Sequence, residues 1–135
     1  MYELDRDIMQ DVPAPEPITE TSYESFLKGT FEHPNFMPEA WFLAKDGDHF
    51  VGLSNLWRSQ ELTDVYYQGL TGVRREHRGK GIAMALKMQG LEFVRARRIR
   101  EVRTWNNTRN RPMLRINEAM GFVKQPGWIE FAREL

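Results

Sequence analysis

Val73 to Ala83 reads VRREHRGKGIA, a basic stretch with two glycines set between a Val- and Tyr-rich segment and an amphipathic one. Upstream, residues 63–73 have the composition of a strand, with Gly69 and Gly72 inside it. Glycine within a strand commonly marks a bulge or a close approach by another backbone or a ligand. Downstream, residues 82–97 predict a helix whose apolar face is Ile82, Ala85, Leu86, Gly90 and Phe93. A strand running through a short glycine-bearing turn into a helix exposes unpaired main-chain N–H groups at the positive end of the helix dipole, a natural seat for phosphate oxygens. Glycine lets the backbone approach a ligand closely, and Arg74, Arg75, Arg78 and Lys80 add positive charge. A phosphate-binding turn competes here with a plain loop carrying solvated arginines. Two better-known phosphate motifs fail on spacing. Gly79-Lys80-Gly81 lacks both the interval and the hydroxyl of a P-loop, and Met84 stands where the dinucleotide fingerprint needs its third glycine.

Working outward, residues 41–45 and 49–57 predict a β-hairpin about Asp46-Gly47-Asp48, whose Asp-Gly pair suits a tight turn. Residues 2–11 predict a helix with Leu4, Ile8 and Met9 on one face, stopped by the proline-rich run from Val12 to Pro17. A second helix, capped by Thr19 or Thr21, runs to Lys28 with Tyr23, Phe26 and Leu27 as its apolar face and Gly29 as its stop. After the central helix, residues 101–105 predict a short strand. Residues 111–120 follow as a helix with Pro112 in its first turn, Met113, Leu114 and Ile116 as apolar residues and Gly121 at its end. Phe122-Val123 and residues 128–133 predict two closing strand pieces. The order is α+β with a βαβ unit in the middle, in one domain spanning 1–135.

Composition narrows the function. The 19 basic and 19 acidic residues cancel, so net charge gives no pull toward nucleic acid. The charges are unevenly spread: residues 1–40 hold nine acids against two bases, and residues 74–115 thirteen bases against three acids. No cysteine is present, which removes thiolate nucleophiles and Cys-based metal sites. His33, His49 and His77 lack metal-ligand spacing, so no metal is expected. No apolar run approaches a membrane span and no signal peptide opens the chain, so a cytoplasmic protein without membrane contacts is the expectation.

Arg78-Gly79-Lys80-Gly81-Ile82-Ala83 matches [Q/R]-x-x-G-x-[G/A], the pyrophosphate signature of the GNAT superfamily of N-acetyltransferases. Asn110 and the run from Ile116 to Phe122 (INEAMGF) resemble the family's second block, and Leu70-Thr71-Gly72-Val73 looks like its bulged strand. The block MLRINEAMGF and the segment LDRDIMQDVP are similar to the branch that includes mycothiol synthase.

The resemblance implies a mixed central sheet opened into a V at the third strand and flanked by helices. Acetyl-coenzyme A would lie in the gap as co-substrate. Leu70, Thr71, Gly72 and Val73 would run along the pantetheine arm, the N–H groups from Arg78 to Ala83 (Arg78, Gly79, Lys80, Gly81, Ile82, Ala83) would hold the pyrophosphate, and Asn110 would complete the cofactor site. An amine of a small molecule or peptide would attack the thioester directly, without a covalent enzyme intermediate. Two features depart from the family. Asn117 stands where many relatives carry a tyrosine that protonates the leaving thiolate, and asparagine is no general acid, though it can donate a hydrogen bond; Tyr66 and Tyr67 are the nearest tyrosines by strand position, and Tyr67 joins Asn117 as a candidate catalytic residue. The family's first strand and most of its first helix are not found, which reads as a truncated N-terminus, a misassigned start or an edge completed by a partner chain, the last implying a homodimer. Glu61, ahead of the third strand, is the candidate general base, and Phe31, His33, Phe36 and Trp57 are candidates for an aromatic acceptor pocket. A non-catalytic acyl-coenzyme A sensor, or one half of a tandem acetyltransferase, is the alternative.

Overall fold

The computed structural model describes residues 1–14 and 18–127. Four helices surround one four-stranded sheet: α1 (Tyr2–Met9), α2 (Tyr23–Thr30), β1 (Trp41–Asp46), β2 (His49–Arg58), β3 (Val65–Val73), α3 (Ile82–Ala96), β4 (Glu101–Arg103) and α4 (Arg111–Ala119). The order along the sheet is β1-β2-β3-β4. The first two pairings are antiparallel, and β3–β4 is parallel, with α3 as the crossover.

The hairpin forms where expected, with Gly47 supplying the positive φ of the turn at 57°. Side chains alternate between faces along β2. Leu53 faces Leu4 and Ile8 of α1, and Leu43, Phe50 and Leu70 close around them. Full burial of an aliphatic side chain of this size contributes about 1.5–3 kcal/mol, so three contacts of this kind suffice to hold a two-turn helix to the sheet. On the opposite face α3 crosses the sheet. Ile82 and Leu86 lie against Gly52, and Gly90 against Leu56 and Phe42.

Several local expectations need correction. Ser22, not Thr19 or Thr21, caps α2, its Oγ accepting from the Ser25 N–H at 3.2 Å. The helix continues through Gly29 to Thr30, because no left-handed residue ends it there. Tyr23 is exposed, leaving Phe26 as the buried aromatic of that helix. In α3 the buried residues are Leu86, Lys87, Gly90 and Val94, a stripe rotated from the expected one, so Ala85 is exposed. The third strand begins at Val65 rather than at residue 63, and the fourth ends at Arg103 rather than at residue 105. Phe122-Val123 is not a strand; the Phe122 N–H instead bonds the Asn117 carbonyl at 3.0 Å and closes the end of α4. The strand expected at 128–133 lies outside the described residues.

Candidate functional site

The parallel pairing of β3 with β4 covers only Val65 to Tyr67, opposite Glu101 to Arg103. Residues 68–73 continue beyond it with their β4-side edge unpaired among the described residues, which is the opening of the expected V. At the start of this free edge the β2–β3 register jumps. Ser54 pairs with Thr71 and Leu56 with Gln68, so the single residue Asn55 faces both Gly69 and Leu70. This is a β-bulge, which bends the bulged strand and redirects its main-chain groups. A buried polar knot fixes it. The Gln68 side-chain amide donates to the Asn55 carbonyl at 2.7 Å and to Ser54 Oγ at 3.1 Å, and Ser54 and Thr71 hydroxyls lie 2.9 Å apart.

The two strand glycines answer to side chains. A Cβ on Gly69 would collide with Asn55 Oδ1 and the Trp57 indole, and one on Gly72 would collide with Ile8. Gly72 thus permits α1 to lie on β3.

The free edge leads straight into the basic turn expected to bind phosphate. Gly79 and Gly81 take positive φ angles of 73° and 77°, and a Cβ at either would meet nothing within 4 Å. Gly81 caps α3 without a side-chain bond, and the first helical bond runs from the Ala85 N–H to the Gly81 carbonyl at 3.0 Å. The N–H groups of Gly81, Ile82, Ala83 and Met84 therefore precede the ladder with no intrahelical acceptor. Open space over two glycines, a row of free donors and the helix dipole fit a pyrophosphate. These donors and the free edge of β3 are the residues able to hold coenzyme A.

The cations of the turn are engaged by α1 and the residues after it. Arg75 and Arg78 both bond the carboxylate of Asp11, with Arg75 Nε at 2.8 Å from Oδ2 and Arg78 Nη2 at 2.6 Å from the same atom. Arg74 Nη1 lies 3.1 Å from Asp7 Oδ2. The two guanidiniums hold the Asp11 carboxyl far below the usual carboxylate range, and Asp11 in turn raises Arg75. Arg78 Nε donates to the Val73 carbonyl at 2.8 Å, tying the turn to the strand end. Lys80 is exposed and has no ion-pair partner among the described residues. His77 Nε2 lies 3.1 Å from Asp46 Oδ2, so it joins the turn to the β1–β2 hairpin.

The remaining candidates divide. Asn110 is the N-cap of α4, its Oδ1 accepting from the Met113 N–H at 3.4 Å. Asn117 is buried within α4; its Nδ2 donates to Asn106 Oδ1 at 2.7 Å, while its own Oδ1 has no partner among the described residues. Tyr67 lies opposite Trp57 on β2 and stacks on the exposed Trp105 at 5.3 Å between ring centroids. Glu61 stands apart, in the exposed turn between β2 and β3, where its N–H bonds Ser59 Oγ. The loop after α2 does gather the expected aromatics: His33 lies 5.2 Å from Trp57, and Phe31 5.1 Å from Phe36, which reaches Trp57 at 6.2 Å. Arg58 pins this loop through the Pro34 carbonyl.

Sequence reasoning missed Asp7, Asp11 and Lys87. By sequence these acids are only part of the acidic excess; Asp7 lies in α1 and Asp11 in the turn after it, and both meet the same basic loop. Lys87 carried a readable signal, since Ala83, Lys87, Gly90 and Val94 recur at intervals of four, three and four. Among the described residues no group of three or more His, Asp or Glu side chains is arranged to hold a metal, and no helix is long and apolar enough to cross a membrane.

Comparison with known proteins bears on this geometry. The family model described as Acetyltransferase (GNAT) family matches residues 1–122. Mycothiol acetyltransferase of Thermobispora bispora is 30% identical over 105 residues, covering 73% of this chain and 35% of its own length. The chain thus spans about a third of that curated relative. Among solved structures, a putative acetyltransferase from Agrobacterium tumefaciens superposes with a TM-score of 0.72 at 12% identity, over 98% of this chain and 93% of that one. Diaminobutyrate acetyltransferase from Paenibacillus lautus, in complex with L-2,4-diaminobutyric acid and coenzyme A, gives 0.68 at 17% identity, over 88% of this chain and 68% of that one.

Proposed function

Because the chain belongs to the GNAT acetyltransferase family, we propose that it transfers an acetyl group from acetyl-coenzyme A to a primary amine of a small molecule or peptide, directly and without a covalent enzyme intermediate. The observation that carries this reading is the continuity of the free edge of β3 with the unpaired N–H groups at the start of α3. In that arrangement the edge at Leu70, Thr71, Gly72 and Val73 runs along the pantetheine arm, and within the turn from Arg78 to Ala83 the N–H groups of Gly81, Ile82 and Ala83 hold the pyrophosphate, that of Arg78 being bonded to the Arg75 carbonyl. Asn110 acts by starting α4 at the right place. The bulge at Gly69 and Leu70 directs main-chain donors toward the thioester carbonyl, where they stabilise negative charge as the amine attacks.

The acceptor enters from the face carrying Trp57, Tyr67 and Trp105. The aromatic loop, with three buried polar atoms nearby that lack partners among the described residues (Asn35 Oδ1, Trp41 Nε1 and Asn55 Oδ1), supports a small polar amine over an apolar one. That diaminobutyrate acetyltransferase shares the fold agrees with this class without naming the acceptor. Glu61 serves as base only through water, given its exposed position. Asn117, lacking an acidic proton, favours a second reading, a coenzyme A-binding sensor without turnover.

Thermal shift with acetyl-coenzyme A, dephospho-coenzyme A and desulfo-coenzyme A tests the ligand. Stabilisation by all three is expected, and stabilisation by none overturns both readings. Release of free thiol across a panel of amines, including diamines and amino sugars, then decides between enzyme and sensor.

A further inference from the structure

Lys87 is the largest fully buried side chain among the described residues, at 1% exposure. Neither a hydrogen-bond acceptor nor a carboxylate among those residues meets its ammonium. Its described neighbour is the ring of Phe122, whose centroid lies 5.3 Å from Nζ. Burial alone pushes the ammonium down to about 8. A methionine would fill this space at no such cost. An apolar stripe that retains a lysine breaks the local consistency of the sequence, and such breaks gather where a side chain has chemistry to do.

Its position can be read from the packing of α3. Ile82 and Leu86 lie over Gly52, which pairs with Val73, and Gly90 lies over Leu56, which pairs with Gln68. Lys87 falls between these two levels along α3, one position on from Leu86 around the helix. Its side chain leaves the β2-facing line of the helix for Phe122, which follows α4 and bonds the Asn117 carbonyl. It therefore sits on the side of α3 toward β4 and α4, the side on which β3 is unpaired. Asn117, the buried polar residue of α4 on this side, has no acidic proton.

We propose that Lys87 is the proton donor to the leaving sulfur of coenzyme A, an assignment that rests on the acetyltransferase reading above. The acceptor nitrogen forms its bond to the acetyl carbon, the carbon–sulfur bond breaks, and its electron pair stays on sulfur. Lys87 passes a proton to that sulfur. The proton lost by the acceptor nitrogen goes to water, and the lysine is recharged from water, so the products are the amide and the free thiol with no net change on the protein. A desolvated ammonium is well matched to a thiolate, because each is poorly solvated in an apolar gap and each stabilises the other.

The test compares wild type with Lys87→Met and Lys87→Arg. Coenzyme A affinity is measured by calorimetry, ionisation of the bound coenzyme A thiol by the ultraviolet absorbance of the thiolate, and turnover by thiol release with an accepted amine. Lys87→Met should bind coenzyme A within about two-fold of wild type, lose roughly 100-fold or more in kcat, and shift ionisation of the bound thiol to higher pH. Lys87→Arg, which keeps the charge, should restore the thiol titration toward wild type. Tight binding by Lys87→Met with an unchanged thiol titration and unchanged kcat overturns the role of Lys87 and leaves the acetyltransferase reading standing. Failure of the wild-type protein to bind coenzyme A overturns that reading and this one with it.

Discussion

Asp11 accepts a hydrogen bond from Arg78 at 2.6 Å while the same guanidinium donates to the Val73 carbonyl, so one arginine ties the chain after α1, the end of β3 and the turn before α3 together. The carboxylate occupies the guanidiniums that an incoming phosphate would otherwise meet. Asp11→Asn is expected to bind coenzyme A a few-fold more tightly at low ionic strength, with the gain shrinking as salt screens the freed arginines. It should also lower stability at neutral pH, since Arg75 and Arg78 lose their partner. The folded carboxyl lies below its ordinary value of 3.8. Its contribution is therefore complete above that value and is lost as the pH falls below it. Calorimetric titration at two salt concentrations, with thermal melts from neutral to acid pH, measures both effects. Equal affinity and equal salt dependence in the variant would count against the competition.

Gly81 stands at φ 77° with open space where a side chain would project. Alanine there is strained by its backbone rather than by contact, at about 1–2 kcal/mol, and asparagine, which tolerates the left-handed region, by less. Urea unfolding should rank glycine above asparagine above alanine. Gly81→Trp adds bulk over the N–H groups of the turn and should abolish coenzyme A binding while the fold persists. Retained binding in the tryptophan variant would place the phosphates elsewhere.

Gly72 and Ile8 make the contact that seats α1. A methyl group at Gly72 meets the Ile8 side chain, and over-packing of this kind costs about 1–3 kcal/mol. Ile8→Ala alone removes a buried side chain, at about 2–5 kcal/mol. The double variant should lose clearly less than the sum, because the smaller residue at position 8 admits the added methyl. Strict additivity in a double-mutant cycle would show that the two residues do not share the space.

These residues also show how much the sequence discloses. The turn that opens α3 was legible because its determinants are local: glycines, cations and a helix start within eleven consecutive positions. The bulge was legible in outline, as glycines in a strand, but its cause was not. The register slip depends on Asn55 and Gln68 from two strands, and no single segment contains both. A strand glycine at position 72 signals a bulge or a close approach by a backbone or a ligand, and what approaches is the side chain of Ile8, 64 residues away in the chain. The pairing of Asp7 and Asp11 with the turn is likewise non-local. Helix ends were misread where cap residues compete: Thr19, Thr21 and Ser22 are all competent, and only Ser22 places its hydroxyl over the first turn of α2.

Lys87 also carries a stability consequence separate from turnover. Burial lowers its ammonium from 10.5 to about 8, so between those values the unfolded chain holds a proton that the folded one has released. Stability then rises with pH across that window, by about 3 kcal/mol in all, and below about pH 8 the protein carries the whole cost of a buried charge. Lys87→Met removes both the cost and the slope. It should melt higher than wild type at pH 7, and the two proteins should converge as the pH approaches 10.5. Thermal or urea unfolding over that range reads the effect directly. A variant less stable than wild type at pH 7 would mean that the contact with Phe122 outweighs desolvation, making Lys87 a structural residue of α3.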